Sequence, residues 1–390
     1  MKIDLISLGD LSHDTFLRDY WQKRPLLIRQ ALPGFESPIT PDELAGLACE
    51  EGVESSLIME QKVGAEKPWE VKHGVFTEDD FATLPETHWT LLVHEMNRHV
   101  PEIGDILDKF QFIPQWRIDD LMVSYAPLNG SVGAHTDNYD VFLIQAYGVR
   151  RWQISHERQP LIPDIDIKVM QSFTAEESWD LHPGDILYLP PNVAHYGVAQ
   201  GDCMTFSVGF LAPSHTDLLN DYVHHFTQHL EDEQRYADPD LCLQDHAGQI
   251  SPQALAKIQN LVQSMPTDTA SINQWFGQFI SESRIGTRYE CPEPSFEVET
   301  WLAEFAELGN LRREARILFI DDESGVTLFV EGQAIAVSTE NAETIALLTE
   351  QREFSYTALS AYFNDELLAI LLDLTNKGYF YFYESDELAC

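Results

Sequence analysis

Between residues 118 and 212 the chain breaks into short β-rich runs, IDDLMVSYA, YDVFLIQAY, RRWQI, GDILYLP and CMTFSVGF, separated by Pro, Gly, Asn and Asp turn signals. Strands this short and this regularly spaced predict a sandwich or barrel. On either side the texture differs. Upstream, FLRDYWQKRPLLIRQ (16–30) places Phe16, Tyr20 and Trp21 at helical spacing until Pro25 ends the pattern before a strand-like LLIR. PDELAGLACE (41–50) reads as a short helix with Pro41 near its start and acids in the first turn.

After Pro213 the spacing turns helical. LLNDYVHHFTQHLEDEQRYA and ALAKIQNLVQSM both repeat apolar residues with a period near 3.6, so a helical section is expected from about 214 to 285. The last hundred residues are mixed. VETWLAEFAEL, AETIALLTEQ and DELLAILLDLTNKG read as helices, ARILFIDDESGVTLFVEGQAIAV as two strands around a DDESG turn, and YFYFYE as a final strand. Helices followed by a terminal hairpin or strand resemble a winged-helix domain. A chain of 390 residues exceeds one ordinary core. The expected division is 1–212, 213–285 and 286–390.

Charge narrows the partners. Sixty-four acids against 24 Lys and Arg give −40, a surface that repels phosphate backbones and attracts basic proteins or peptides. An organism that makes acidic, salt-tolerant proteins would give the same balance. Between 291 and 390 five basic residues face 20 acidic ones, so a winged helix here is expected to meet protein or its own chain rather than DNA. No apolar run reaches the length of a membrane span, and the N-terminus does not read as a signal peptide, so a cytoplasmic location is expected. The five cysteines are scattered and form no C-x-x-C pair, against a disulfide framework or zinc ribbon.

The chemistry concentrates in GAHTDNYDVFLIQAYGVRRWQI (133–154) and PGDILYLPPNVAHYGV (183–198). On an extended strand residues i and i+2 share a face, so His135 and Asp137 would project together into a barrel. His195, beyond ILYLP and a Pro-Pro-Asn turn, offers a third ligand. Two imidazoles and a carboxylate on one side of an octahedral ion leave the other side open, as in non-haem iron(II) oxygenases. H-x-D alone is weak, and a second copy exists at His215-Thr216-Asp217. That copy opens a helical stretch, where i and i+2 diverge by about 200°, and it fits a helix cap better.

RRWQI follows the Tyr147-Gly148 turn and is expected to pair with VFLIQAY as a hairpin. If Arg150, Trp152 and Ile154 face inward, a guanidinium sits in an apolar barrel and needs an anionic partner. The distal carboxylate of 2-oxoglutarate would serve, as would a protein acid; alternatively Arg151 is the inward residue. Ser124, on LMVSY, could add a hydroxyl to the same carboxylate. His225 and His229 stand i, i+4 on a helix without the Glu of H-E-x-x-H, and read as a polar face or a subunit contact. No nucleotide-binding Gly loop or G-x-S-x-G elbow occurs.

Taken together, FLRDYWQKRPLLIRQ, HTDNYDVFLIQAYGVRRWQI, PGDILYLPPNVAHYGV and TFSVGF, in this order, closely resemble the bacterial ribosomal oxygenases of the JmjC/cupin superfamily. The resemblance implies an α+β chain with a double-stranded β-helix (a cupin/JmjC jelly-roll) as catalytic domain, a helical dimerisation region and a C-terminal winged-helix domain. It implies iron(II), 2-oxoglutarate and O2, and hydroxylation of an arginine β-carbon in a basic large-subunit ribosomal protein (protein sixteen of that subunit). By position His135, Asp137 and His195 match the iron ligands and Arg150 the residue that binds the distal carboxylate. One departure is Ala126, near where the family carries a serine by the co-substrate. With a basic substrate, Asp119, Asp120 and Tyr139 become candidate contacts for its guanidinium. The rival readings are a JmjC-type demethylase and a cupin sensor fused to a winged-helix regulator.

Overall fold

Alternation of apolar side chains decides which face each strand buries, and two chain-adjacent strands nevertheless end in different sheets. The computed structural model describes residues 5–61, 68–228, 230–231, 234–283, 288–323 and 325–384. The chain divides into two compact units, Met1–Ala212 and Pro213–Cys390.

The first unit runs α1 (His13–Asp19), β1 (Leu26–Ile28), α2 (Pro41–Leu47), β2 (Ser55–Glu60), β3 (Trp69–His73), α3 (Glu78–Ala82), β4 (Trp89–Val93), α4 (Met96–His99), α5 (Pro101–Asp108), β5 (Ile118–Ala126), β6 (Val141–Tyr147), β7 (Arg150–Ser155), β8 (Glu177–Leu181), β9 (Ile186–Leu189), β10 (Ala194–Ala199) and β11 (Cys203–Phe210). Local chemistry sets the helix starts. Ser12 caps α1 by accepting from the Thr15 N–H, and Thr40 with Glu43 forms a reciprocal capping box on α2, whose first residue is Pro41.

Eight strands form one antiparallel sheet, β1-β9-β6-β11-β5-β4-β2-β3, and β10-β7-β8 form a second. Along β11, Met204, Phe206, Val208 and Phe210 point to one face of the large sheet, where they join Phe16, Ile103, Ile106, Phe110 and Tyr188. Cys203, Thr205, Ser207 and Gly209 therefore point the other way, towards the small sheet. Val141, Leu143, Leu187 and Leu189 meet Trp152, Ile154 and Leu181 there. The large sheet thus carries a core on each face. Truncating one of its wholly buried phenylalanines, such as Phe142, to alanine would cost about 3–5 kcal/mol.

The expected hairpin of VFLIQAY with RRWQI does not form. β6 pairs with β9 and β11, whereas β7 pairs with β8 and β10. The turn between them is tightly packed: Gly148 has φ +63°, and a Cβ there would lie 2.0 Å from the Asp202 carbonyl oxygen. The chain crosses there from one sheet to the other. β6 is apolar on both faces and takes a central place, while β7 buries one face, so a jelly-roll crossover wins over local pairing.

The second unit runs α6 (His215–Thr227), α7 (Pro252–Gln263), α8 (Thr269–Ser281), α9 (Val298–Leu308), β12 (Gly309–Arg313), β13 (Ile317–Asp322), β14 (Gly325–Val330), β15 (Gln333–Val337), α10 (Ala342–Glu350), β16 (Glu353–Ser355), α11 (Tyr356–Leu359), α12 (Asp365–Asn376) and β17 (Phe380–Glu384). Two expectations need correction. Residues 317–337 make a three-stranded meander rather than two strands, because the Glu331-Gly332 turn, both residues at positive φ, returns the chain once more. The helix expected over 218–237 ends at Thr227, and among the described residues none follows it before Pro252. β16-β12-β17 form the terminal sheet, with Trp301, Phe305, Leu311, Leu367, Leu371, Leu374 and Phe380 in the core beneath it.

Candidate metal centre

His135 and Asp137 do not sit on a regular strand. His135 makes one isolated bridge with His195 of β10, exchanging both main-chain hydrogen bonds, N to O at 3.0 and 2.9 Å. The loop is pinned at two further points. The Asn192 N–H donates to the Asp137 carbonyl at 2.7 Å. The wholly buried Asp140 carboxylate accepts from Tyr188 Oη at 2.6 Å and Gln22 Nε2 at 3.0 Å, with Arg117 at 3.5 Å. Direct pairing of the two ligand-bearing segments replaces the i, i+2 strand geometry and brings three side chains to one point.

Each imidazole is oriented by its own backbone. His135 Nδ1 donates to the Gly133 carbonyl at 2.9 Å and His195 Nδ1 to the Val193 carbonyl at 3.0 Å. Gly133 itself has φ +83°, and a Cβ there would meet Val169 Cγ1 at 2.6 Å. With Nδ1 protonated, each Nε2 carries a lone pair that faces the carboxylate. Asp137 Oδ1 lies 3.9 Å from His135 Nε2 and Oδ2 lies 3.5 Å from His195 Nε2. One ligand atom from each residue falls within 4.8 Å of the others. Burial, and then the neighbouring His135, push the His195 imidazole down to about 4, so it is neutral near pH 7. Two imidazole nitrogens and a carboxylate oxygen suit an octahedral divalent ion such as iron(II). Among the described residues this is the one such cluster of three or more His, Cys, Asp or Glu.

The second H-T-D differs. Ser214 caps α6, and the Asp217 carboxylate accepts from the Ser214 N–H at 3.0 Å while Ser214 Oγ takes the Asp217 N–H. His224 and His225 lie on the same helix, and His229 falls outside the described residues.

Arg150, Trp152 and Ile154 face inward, and Arg151 pairs outside with Asp180 at 2.7 Å. Arg150 is 3% exposed. Among the described residues no carboxylate pairs with it, and its Nε has no partner. One terminal nitrogen donates to Ser124 Oγ at 3.1 Å and Thr205 Oγ1 at 3.3 Å, and Trp152 packs with its ring centre 5.5 Å from the guanidinium carbon. Burial pushes the Arg150 pKa down, yet a guanidinium stays charged. A cationic group this deep, with an orphaned N–H, fits a carboxylate that the described residues do not provide. In the β10–β7 register His195 faces Ile154 and Ala199 faces Arg150. His195 and the position opposite Arg150 are thus four residues, about 13 Å, apart along the strand.

The substrate candidates separate. Asp120 is on the face of β5 that carries Ser124, and with Tyr139 it borders Gly209: a Cβ there would be 3.6 Å from Asp120 Oδ1 and 4.0 Å from the Tyr139 ring. Asp119 lies on the opposite face, with Leu121 and Val123, because adjacent strand residues alternate. Two residues escaped the sequence reading, Thr205 and Gln145. Their signal was a buried polar side chain within an otherwise apolar strand, and both lie on one rung with Ser124. Ala126 is buried against Ala199 and Cys203, so no hydroxyl comes from that position.

A JmjC domain profile matches residues 105–218 and a ROXA-like winged-helix profile matches residues 258–381. The ribosomal protein uL16 3-hydroxylase of Escherichia coli K12 is 35% identical over 385 residues, 95% of this chain and 98% of that protein. A probable ribosomal oxygenase of Haemophilus influenzae is 36% identical over 74% of this chain and 72% of its own. The structure of YcfD, a ribosomal oxygenase from E. coli in complex with cobalt and 2-oxoglutarate, superposes with a TM-score of 0.80 at 31% identity, covering 97% of this chain and 99% of that one. With similarity along nearly its whole length to proteins that share this fold, the chain belongs to the JmjC-type ribosomal oxygenases with a ROXA-like winged helix.

Proposed function

We propose that this chain hydroxylates the β-carbon of an arginine in a basic large-subunit ribosomal protein, coupled to conversion of 2-oxoglutarate to succinate and CO2. The observation that carries this reading is the pairing, on adjacent strands β10 and β7, of the His135-Asp137-His195 cluster with a buried Arg150 that has no carboxylate partner among the described residues. The 35% identity to a uL16 3-hydroxylase supports the choice of substrate. When bound, iron(II) with 2-oxoglutarate and O2 supplies the oxidant that exchanges a carbon-bound hydrogen for hydroxyl.

The chain's own residues supply position and exclusion. His135, Asp137 and His195 hold the metal on one side and leave the opposite side for ligands. Arg150 takes the distal carboxylate in charge-assisted hydrogen bonds, and Ser124 adds a hydroxyl. Trp152, Ile154, Leu143 and Leu187 line the space between the sheets with apolar surface and keep water from the reacting centre. Tyr139, 42% exposed, offers a ring face to an incoming guanidinium, with the Asp120 carboxylate, buried and accepting from the Glu95 N–H at 3.3 Å, behind it.

The same reading places a second copy of the chain against α6 and α7, where Leu219, Val223, Leu255, Ile258 and Leu261 are exposed at helical spacing. It assigns the winged helix to protein contacts rather than DNA, because its acidic surface repels phosphates. It also places the enzyme in the cytoplasm with its substrate; among the described residues no helix is long and apolar enough to cross a membrane.

The test is mass spectrometry of large-subunit ribosomal proteins after incubation with the enzyme, iron(II), ascorbate and 2-oxoglutarate. One added oxygen on a single arginine, fragmenting at the β-carbon and absent with His135→Ala, is the expected result. Loss of a methyl group with formaldehyde release would make the protein a demethylase instead.

A further inference from the structure

Arg150, the anchor for the distal carboxylate, is itself held by a chain of hydrogen bonds whose direction is fixed. A guanidinium has donors only, so Ser124 Oγ and Thr205 Oγ1 both accept from it and must send their own hydrogens elsewhere. Thr205 donates to Gln145 Oε1 at 3.2 Å, and Ser124 donates to the Thr205 main-chain carbonyl at 3.3 Å. Gln145 is fully buried, and its Nε2 donates to the carbonyls of Tyr147 at 2.8 Å and Gly148 at 3.4 Å. Those carbonyls accept only, so the amide orientation has one solution, with Oε1 towards Thr205.

The register makes this a single rung. Ser124 of β5 faces Thr205 of β11, and Thr205 faces Gln145 of β6. Tyr147 and Gly148 form the turn that leads into Arg150. Gln145 therefore grips both the hydroxyl that orients the guanidinium and the turn that carries its backbone. Of the neighbouring buried positions, Ala126 and Ala199 are apolar, and the Cys203 thiol lies beside Arg150 and Gln145.

We propose that Thr205 and Gln145 are positioning residues for the 2-oxoglutarate site, acting through Arg150 and touching no substrate themselves. Thr205 keeps its hydrogen on Gln145 and shows its lone pair to Arg150, whose Nε–H is left without a protein partner. Ser124 instead rests its hydrogen on the Thr205 main-chain carbonyl at 3.3 Å, a neutral acceptor that an anionic carboxylate would outcompete. A role limited to satisfying buried polar atoms would alter folding stability without altering which ligands bind.

This inference rests on the 2-oxoglutarate reading of the cavity, and the experiment separates the two. Binding of 2-oxoglutarate and of oxalate, which chelates metal but has no distal carboxylate, is measured by calorimetry on the full chain loaded with manganese(II). The variants are Thr205→Val, Thr205→Ser and Gln145→Leu, each checked by its melting temperature. Thr205→Val is expected to weaken 2-oxoglutarate by about 10- to 100-fold, leave oxalate unchanged, and raise KM with little change in kcat. Thr205→Ser keeps the hydroxyl and restores affinity. A Thr205→Val protein that binds 2-oxoglutarate like wild type, or that loses oxalate equally, overturns the relay. Equal 2-oxoglutarate affinity in wild type and Arg150→Ala overturns instead the assignment of the pocket.

Discussion

The tripeptide His-Thr-Asp occurs twice, at 135–137 and at 215–217, and the two copies do entirely different work. In the first, a two-way main-chain bridge to His195 and a bond from Asn192 hold the backbone open, and both ring Nδ1 atoms or their equivalents are tied to carbonyls. In the second, Ser214 and Asp217 satisfy each other across the first turn of α6, and hydrogen bonds from Ser214 hold the Asp217 carboxyl below its usual range. Side-chain identity is constant between the copies. What differs is whether the backbone spends its hydrogen bonds on a distant strand or on a helix, and that decides where the carboxylate points.

The largest contrast should appear in turnover. His135→Ala or Asp137→Ala is expected to reduce 2-oxoglutarate-dependent succinate formation by at least about 1000-fold, whereas His215→Ala should leave it unchanged. Full activity in His135→Ala would remove that residue from the metal set. Next in size, Arg150→Met should raise the KM for 2-oxoglutarate by about 100-fold through loss of charge-assisted bonds. Its melting temperature should hold or rise, because the replaced guanidinium is buried without a carboxylate among the described residues. A clear fall in melting temperature would show that Arg150 is structural. The smallest effect belongs to the second copy. Ser214→Ala should cost about 1 kcal/mol of stability in denaturant unfolding, with metal affinity intact.

Much of this was legible in the sequence because it is local. Period-two alternation located the strand runs, and β5 coincides with IDDLMVSYA and α9 with VETWLAEFAEL. Alternation put Arg150, Trp152 and Ile154 on one face but left open whether that face or the one with Arg151 points inward, and the structure buries Arg150. Pairing did not follow, because the Gly148 turn moves β7 to the other sheet, a choice set by distant strands rather than by the turn's length. Thr205 and Gln145 were silent for a related reason: threonine and glutamine are ordinary in strands, and only register sets them beside Ser124. The neighbours Asp119 and Asp120 looked equivalent in sequence, yet alternation gives them opposite faces.

The most direct test of the contrast between the two copies is a manganese(II) titration followed by electron paramagnetic resonance on wild type, Asp137→Ala and Asp217→Ala. One tight site per chain, lost in Asp137→Ala and retained in Asp217→Ala, is the predicted result. Retention of that site in Asp137→Ala, or its loss in Asp217→Ala, would contradict the account.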